Sequence, residues 1–566
     1  MRDRSRRGLR ATMTAGTVVV LAAGLAGPVD AAANPLAEFY HQRVEWSPCP
    51  EPPPTNPSDG GIDIDPWAGQ WGTMDCSTVK APLNYKDPGG AQLTIQISRL
   101  KATDPTRRRG VLLINPGGPG GGGLSMPLGT REAAPAKYFD LIGFDPRGVG
   151  PSSALKCEVV NEPLPDTTRP TDEQFAQYTA YARAREEACQ RAGGNKRPYI
   201  NTANTARDMD VIRAVLGERK INYLGYSYGT YLGAVYGSLF PQQLNRSVLD
   251  SSIHPQWLWR EQSLQASVAV RFNVEEWASW AGQRNQTYHL GTTKAEVLAT
   301  TEALAAQLAT RSVRLTRGRP ANWPTYWARE FDRSTLDRFM AIATQSRPIW
   351  DVVAEVIGEV RHAATTRTAV SSDVSTTVGM VTQPGTPQLD EGVYDTVTCE
   401  ADWPTDLSTY YKDMREFRDR YPYADGNQTG VISAAPTNCT FRSFTPPEKL
   451  VHLHRDGYPT GVVIQGDGDP ATQYAGGPAM ASTLNDRLIS VRDTGRHGQY
   501  GHNQCVNDRI DNYLINGVLP PSRSECAAEP RPSVPADNAP SAARKAPTRS
   551  TVARVQADAR HHSIWS

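Results

Sequence analysis

The stretch from Ile221 to Gly237, INYLGYSYGTYLGAVYG, leaves the chain few ways to fold. A short apolar run ends in Gly225-Tyr226-Ser227-Tyr228-Gly229, and a helix-like run follows until Pro241. A G-x-S-x-G turn between a strand and a helix holds its serine in a strained backbone conformation. That pushes the hydroxyl out above the sheet, while the glycines let neighbouring backbone pass without a Cβ clash. Other short apolar runs also stop in Gly/Pro turns: GVLLINPGG, YFDLIGFDPRGVGPS, NRSVLDSS, TGVVIQGDGDP and RLISVRDTGRHG. Such runs mark central strands covered on both faces. With helices at TARDMDVIRAVLGERK and YGTYLGAVYGSLFP between them, they predict a largely parallel α/β sheet.

The rhythm changes over residues 254–447, where KAEVLATTEALAAQLATR and LDRFMAIATQSRPIWDVVAEVIGEVRHAA read as helical, with many tryptophans and no strand alternation. Sheet-like segments resume afterwards. This region therefore reads as a helical insertion between a first sheet portion (34–253) and a second (448–526), with an independent second domain as the alternative. The tail, 527–566, is rich in Ala, Pro, Ser and Arg and is expected to be disordered. Residues 1–33 have a basic start, a short apolar run and a small-residue end, Ala31-Ala32-Ala33. That is the layout of a secretory signal, and Ser5-Arg6-Arg7-Gly8-Leu9 leaves the twin-arginine and Sec routes both open. Eight cysteines in an exported chain favour disulfides, and nearest neighbours in sequence form four short loops. A formal charge of +1, 60 basic against 59 acidic residues, gives no electrostatic case for nucleic acid or an anionic membrane surface.

A serine hydroxyl needs a base, and the base needs an orienting carboxylate. In this kind of sheet the chain order is serine, acid, histidine. Asp467 and Asp469 follow one late strand, and His497 and His502 follow the next. Asp469 is assigned as the acid and His497 as the base. Asp467 or Asp250 as the carboxylate, and His502 as the base, remain open. The loop NPGGPGGGG, Asn115 to Gly123, contains a literal G-x-G-x-x-G, but Pro119 interrupts it and FDPRG ends the next strand, unlike a dinucleotide site. No Lys-Ser/Thr follows for a P-loop. A glycine turn ahead of the nucleophile instead exposes backbone N–H groups for an oxyanion, so Gly117 or Gly118 with Tyr228 is expected to form the hole. No pattern calls for a metal or organic cofactor.

With NPGGPGGGG, FDPRGVGPSS, LGYSYGTYLG, VLDSS, DPATQ and RHGQYGHNQCVNDRIDNYLINGVLP in one order, the chain resembles the secreted bacterial tripeptidyl aminopeptidases, relatives of proline iminopeptidases. The resemblance implies an α/β-hydrolase fold with a large helical cap and a secreted, extracellular serine exopeptidase. Such an enzyme releases short peptides, tripeptides among them, from free N-termini of peptide or polypeptide substrates. It carries Ser227, Asp469 and His497 over as the triad. It also implies that cap carboxylates hold the substrate ammonium, for which Glu400 and Asp402 in VTCEADWP are the candidates. The rivals are a secreted carboxylesterase on the same triad and a non-catalytic binding protein on the same fold.

Overall fold

The computed structural model describes residues 35–52, 66–316, 328–382, 391–424, 429–539 and 550–562. The signal expected at 1–33 lies outside them. Ten strands form one sheet: β1 (Ser47–Pro48), β2 (Asp75–Pro82), β3 (Gln92–Leu100), β4 (Val111–Asn115), β5 (Asp140–Phe144), β6 (Ile221–Tyr226), β7 (Leu244–Asp250), β8 (Val462–Gly466), β9 (Arg487–Arg492) and β10 (Arg523–Ala527). Their order is β1-β2-β3-β5-β4-β6-β7-β8-β9-β10. The first three pair antiparallel, as does β3 with β5, and every pairing from β5 to β10 is parallel. This is an α/β-hydrolase fold with a mostly parallel central sheet.

The central strands are apolar throughout because both faces are covered. Leu113, Ile142, Tyr223, Leu249 and Val463 pack into the core on one face. Their chain neighbours Leu112, Leu141, Leu224, Val248 and Val462 pack into the core on the other. Period-2 alternation of side chains thus feeds two cores from a continuous apolar run. Helix α1 (Thr202–Val215), capped by Asn201 accepting from the Asn204 amide, and helix α2 (Tyr228–Leu239) lie against each other beside the sheet.

Between β7 and β8 the chain leaves the sheet for about two hundred residues of mainly helix, including α3 (Arg260–Gly282) and α4 (Trp350–Thr366). These have their own core, in which Trp277, Trp280 and Trp350 are fully buried. The helical run read from Leu336 to Ala364 is broken after Ala343, and a short helical turn, Arg347–Ile349, with Pro348 in it leads into α4. The region also holds a two-stranded ribbon, Val313–Arg314 with Glu330–Phe331, that pattern reading did not find. No helix among the described residues is long and apolar enough to cross a membrane.

The disorder expected over 527–566 does not hold for Thr551–His562, which form helix α5. It docks on the helical layer: Thr551 Oγ1 meets Thr377 Oγ1 at 2.6 Å, Arg554 pairs with Asp351 at 2.6 Å and also with Glu355, and Val555 is buried. Composition hid an amphipathic spacing, Thr551, Arg554 and Val555, that finds its partner only in three dimensions. All four nearest-neighbour disulfides are present: Cys49–Cys76, Cys157–Cys189, Cys399–Cys439 and Cys505–Cys526.

Candidate active site

Ser227 occupies the one-residue turn between β6 and α2 at φ +56° and ψ −127°, a strained conformation for a residue with a side chain. The turn is tight enough that a Cβ on Gly225 would lie 2.4 Å from Gly229 O. The Ser227 amide donates to Asp250 O at 3.0 Å, which ties the turn to the end of β7. Ser227 opens into a solvent-accessible pocket whose wall carries Gly118, Trp259, Tyr394, Asp395, Trp403 and Thr472.

Asp469 and His497 come together behind this pocket. The His497 Nδ1 lies 2.9 and 3.0 Å from the two Asp469 oxygens. Asp469 is fully buried, and it accepts from the Ala471 and Thr472 amides at 3.0 and 2.9 Å and from Thr472 Oγ1 at 3.0 Å. These donors fix the carboxylate and leave it pointing at the imidazole. Thr472 Oγ1 is also 3.4 Å from His497 Nδ1, so one residue touches acid, base and the Ser227 pocket. Burial opposes a charge on His497, but the Asp469 carboxylate outweighs it, and the imidazole pKa rises above its ordinary value.

The rival acids have other places. Asp467 accepts from the Asp493 and Thr494 amides at 2.8 and 3.0 Å, bracing the segment before His497. Asp250 accepts from the Gln499 and Tyr500 amides at 2.9 and 2.6 Å, bracing the segment after it. Burial pushes Asp250 up to about 7. Since the same residue receives the Ser227 amide, Asp250 joins the serine turn to the histidine loop. His502 faces a separate pocket that it shares with Arg347 and Arg496.

The glycine loop needs a correction. Gly117, at φ +102°, lies so close to the serine turn that a Cβ would be 2.5 Å from Tyr226 O and 2.8 Å from Ser227 Cβ. Its amide, however, donates to Asn115 Oδ1 at 3.0 Å and is not free to serve an oxyanion. Gly118 is on the pocket wall, and the Tyr228 nitrogen is 3.0 Å from where a Gly117 Cβ would sit. Gly117 therefore supplies close approach to the serine turn, and Gly118 shares the pocket wall with Ser227.

Asp402 is fully exposed and only 3.8 Å from Arg442, so the structure does not bring it to the pocket. Glu400 is partly buried behind Trp259 and accepts from Thr202 N and Oγ1 at 2.9 and 2.7 Å. Thr202 Oγ1 in turn meets the Tyr228 hydroxyl at 2.9 Å. Burial pushes Glu400 up to about 7 against these hydrogen bonds, and it makes no ion pair among the described residues. Sequence reading missed Asp395, a carboxylate on the pocket wall that Arg185 holds at 2.5 Å. Among the described residues one group has metal-ligand spacing, Cys157, Cys189 and Asp395, and its cysteines are bonded to each other, which removes both thiolates.

The Cys399–Cys439 bridge closes a loop of 40 residues and ties Thr398 to Asn438, both on the pocket wall. Replacing both cysteines by serine is expected to cost about 2–4 kcal/mol of stability, measured by thermal unfolding. It should also raise KM more than it lowers kcat. A KM equal to that of the parent would mean that the bridge does not shape the pocket.

A model of the α/β-hydrolase fold family matches residues 110–502. The chain is 34% identical over 494 residues to the tripeptidyl aminopeptidase of Streptomyces lividans, covering 83% of this chain and 88% of that one. It is 26% identical to serine protease Hip1 of Mycobacterium tuberculosis, over 93% of this chain and 99% of the relative. It is also 30% identical to a carboxylesterase B of Mycobacterium tuberculosis, over 80% of this chain and 86% of the relative.

Proposed function

The chain belongs to the α/β-hydrolase fold family and, within it, to the tripeptidyl aminopeptidases, and from that premise we propose a secreted serine exopeptidase that releases tripeptides from free N-termini. That it is a serine hydrolase of peptidase type follows from the family. The triad mechanism is supported by one observation: the strained Ser227 opens into the same pocket as Thr472, the residue that holds Asp469 and touches His497. Export is supported by the N-terminal pattern and by four disulfides.

In this mechanism Ser227 Oγ attacks the scissile carbonyl while His497 Nε2 takes its proton, and Asp469 keeps Nδ1 protonated and stabilises the imidazolium. The amides of Gly118 and Tyr228 receive the developing oxyanion. His497 returns the proton to the leaving amine, which departs as the shortened polypeptide. Water, activated by the same imidazole, then releases the tripeptide from Ser227. The substrate ammonium pairs with Glu400, a partly buried carboxylate with no counter-ion among the described residues, whereas Asp395 is already neutralised by Arg185.

The test compares parent and Ser227→Ala on a tripeptide p-nitroanilide, its N-acetyl form and a p-nitrophenyl ester. Cleavage confined to the free-amine peptide and absent from Ser227→Ala is the expected result. The carboxylesterase relative favours one other reading, in which the same triad works on esters. Equal turnover of the ester and the acetylated peptide would establish that reading and end the aminopeptidase one.

A further inference from the structure

Arg347 comes from the helical layer, in the turn just before α4, yet its guanidinium lies inside the sheet's catalytic end with only 3% of the side chain exposed. Its Nη1 donates to Thr344 O at 3.0 Å and its Nη2 to Thr494 O at 3.3 Å, and Nε is 3.5 Å from Asp493 Oδ1. Two glycines make room for it. A Cβ on Gly468 would lie 2.6 Å from Arg347 Nη2, and one on Gly495 would lie 2.7 Å from Nη1 and 2.1 Å from Gln345 O. Gly468 precedes Asp469 directly, and Gly495 stands two residues before His497. The planar guanidinium is therefore a spacer between the acid loop and the base loop.

The two loops also meet directly at this point. Thr494 O, which Arg347 binds, accepts from the Gly468 amide as well at 2.8 Å. Asn273 of α3 holds Gly468 O at 2.8 Å, a second contact from the helical layer to the acid loop. The charged groups facing Arg347 are Asp493, Asp467 and Glu276, which favour its charge, and Arg531, which opposes it. Burial lowers its pKa to about 10, so it stays a cation at neutral pH.

We propose that Arg347 is a positioning residue that sets the spacing of the loops bearing Asp469 and His497, and so couples the helical layer to the pairing of acid and base. A flat, rigid fork suits this place, and a flexible ammonium fits it less well. The proposal rests on the triad assignment above.

The test uses Arg347→Met and Arg347→Lys, with active sites counted by an organophosphonate that esterifies Ser227, so that misfolded protein is not scored. Per titrated site, Arg347→Met should lower kcat roughly 10- to 100-fold, the scale of a small misplacement of reacting groups, with KM within about twofold. The acid limb of its pH profile should move to lower pH. Of the charges that face His497, Asp469 and Asp250, both raise its pKa, and only the pairing with Asp469 depends on loop spacing. Arg347→Lys should recover part of kcat and show a smaller shift, and it decides the matter if the Met variant does not fold. A titrated kcat within twofold of the parent with an unmoved limb overturns the proposal, as does a loss of titratable sites alone. His497→Ala in the same assay separates the two readings: if it stays active the triad assignment has failed, and if it is dead while Arg347 variants match the parent, only the spacer has.

Discussion

Asp469→Asn is expected to lower kcat by about 10⁴, the loss that follows when an amide replaces the orienting carboxylate and holds the imidazole in the wrong tautomer. The structure adds a second, independent expectation about pH. In the parent, burial of His497 disfavours the imidazolium and Asp469 more than compensates, leaving the pKa raised. A general base works only when neutral. Activity should therefore climb with pH through a midpoint above the ordinary imidazole value of about 6.5. Without the Asp469 charge, burial is opposed by Asp250 alone in place of both carboxylates and the pKa falls, so the residual activity of Asp469→Asn should reach its plateau at lower pH than the parent. Rates measured from pH 5 to 9 on the tripeptide anilide give both quantities. A variant that keeps more than about a tenth of kcat and the parent's limb would show that Asp469 does not orient the base, and would return attention to Asp250.

Much of this site was legible because it is written in turns. Ser227 is marked by the glycines that its sharp turn requires, and Asp469 and His497 by their places after apolar runs that become β8 and β9. Local chemistry left its signature in local sequence, and the same holds for disulfides between neighbouring cysteines. What escaped depends on contacts between distant segments. Asp250 sits in VLDSS with nothing to say that its carboxylate would meet amides some 250 residues later. The Gly117 amide looked as available as that of Gly118 until Asn115 was seen to occupy it. Glu400 and Asp402 are two residues apart in an irregular stretch, yet one is partly buried and hydrogen-bonded and the other fully exposed, a difference no periodicity encodes. Asp395 and the docked helix α5 were missed for the same reason: each acquires its partner only when the helical layer packs.

Glu400→Gln carries the clearest consequence for substrate choice. A buried carboxylate without a cation is unstable as an anion, which is why burial pushes Glu400 up to about 7. On the proposed reading an arriving ammonium removes that penalty, so Glu400 would favour a charged N-terminus. Losing one partner of such a pair costs about 2–4 kcal/mol, equivalent to roughly a 30- to 700-fold fall in kcat/KM for the free-amine peptide. The acetylated peptide, which has no ammonium, should be nearly unaffected. The ratio of the two substrates cancels His497 and everything else they share, and its pH dependence follows in sign. Below about 7 Glu400 is a neutral acid and cannot pair, and above about 8 the substrate amine itself loses its proton. Discrimination should peak between these limits in the parent and be flat in Glu400→Gln. Asp395→Asn is the contrasting substitution: it removes a charge from the pocket wall and should weaken both peptides alike. If instead Asp395→Asn abolishes the discrimination and Glu400→Gln keeps it, the ammonium is held on the wall of the Ser227 pocket and not behind Trp259.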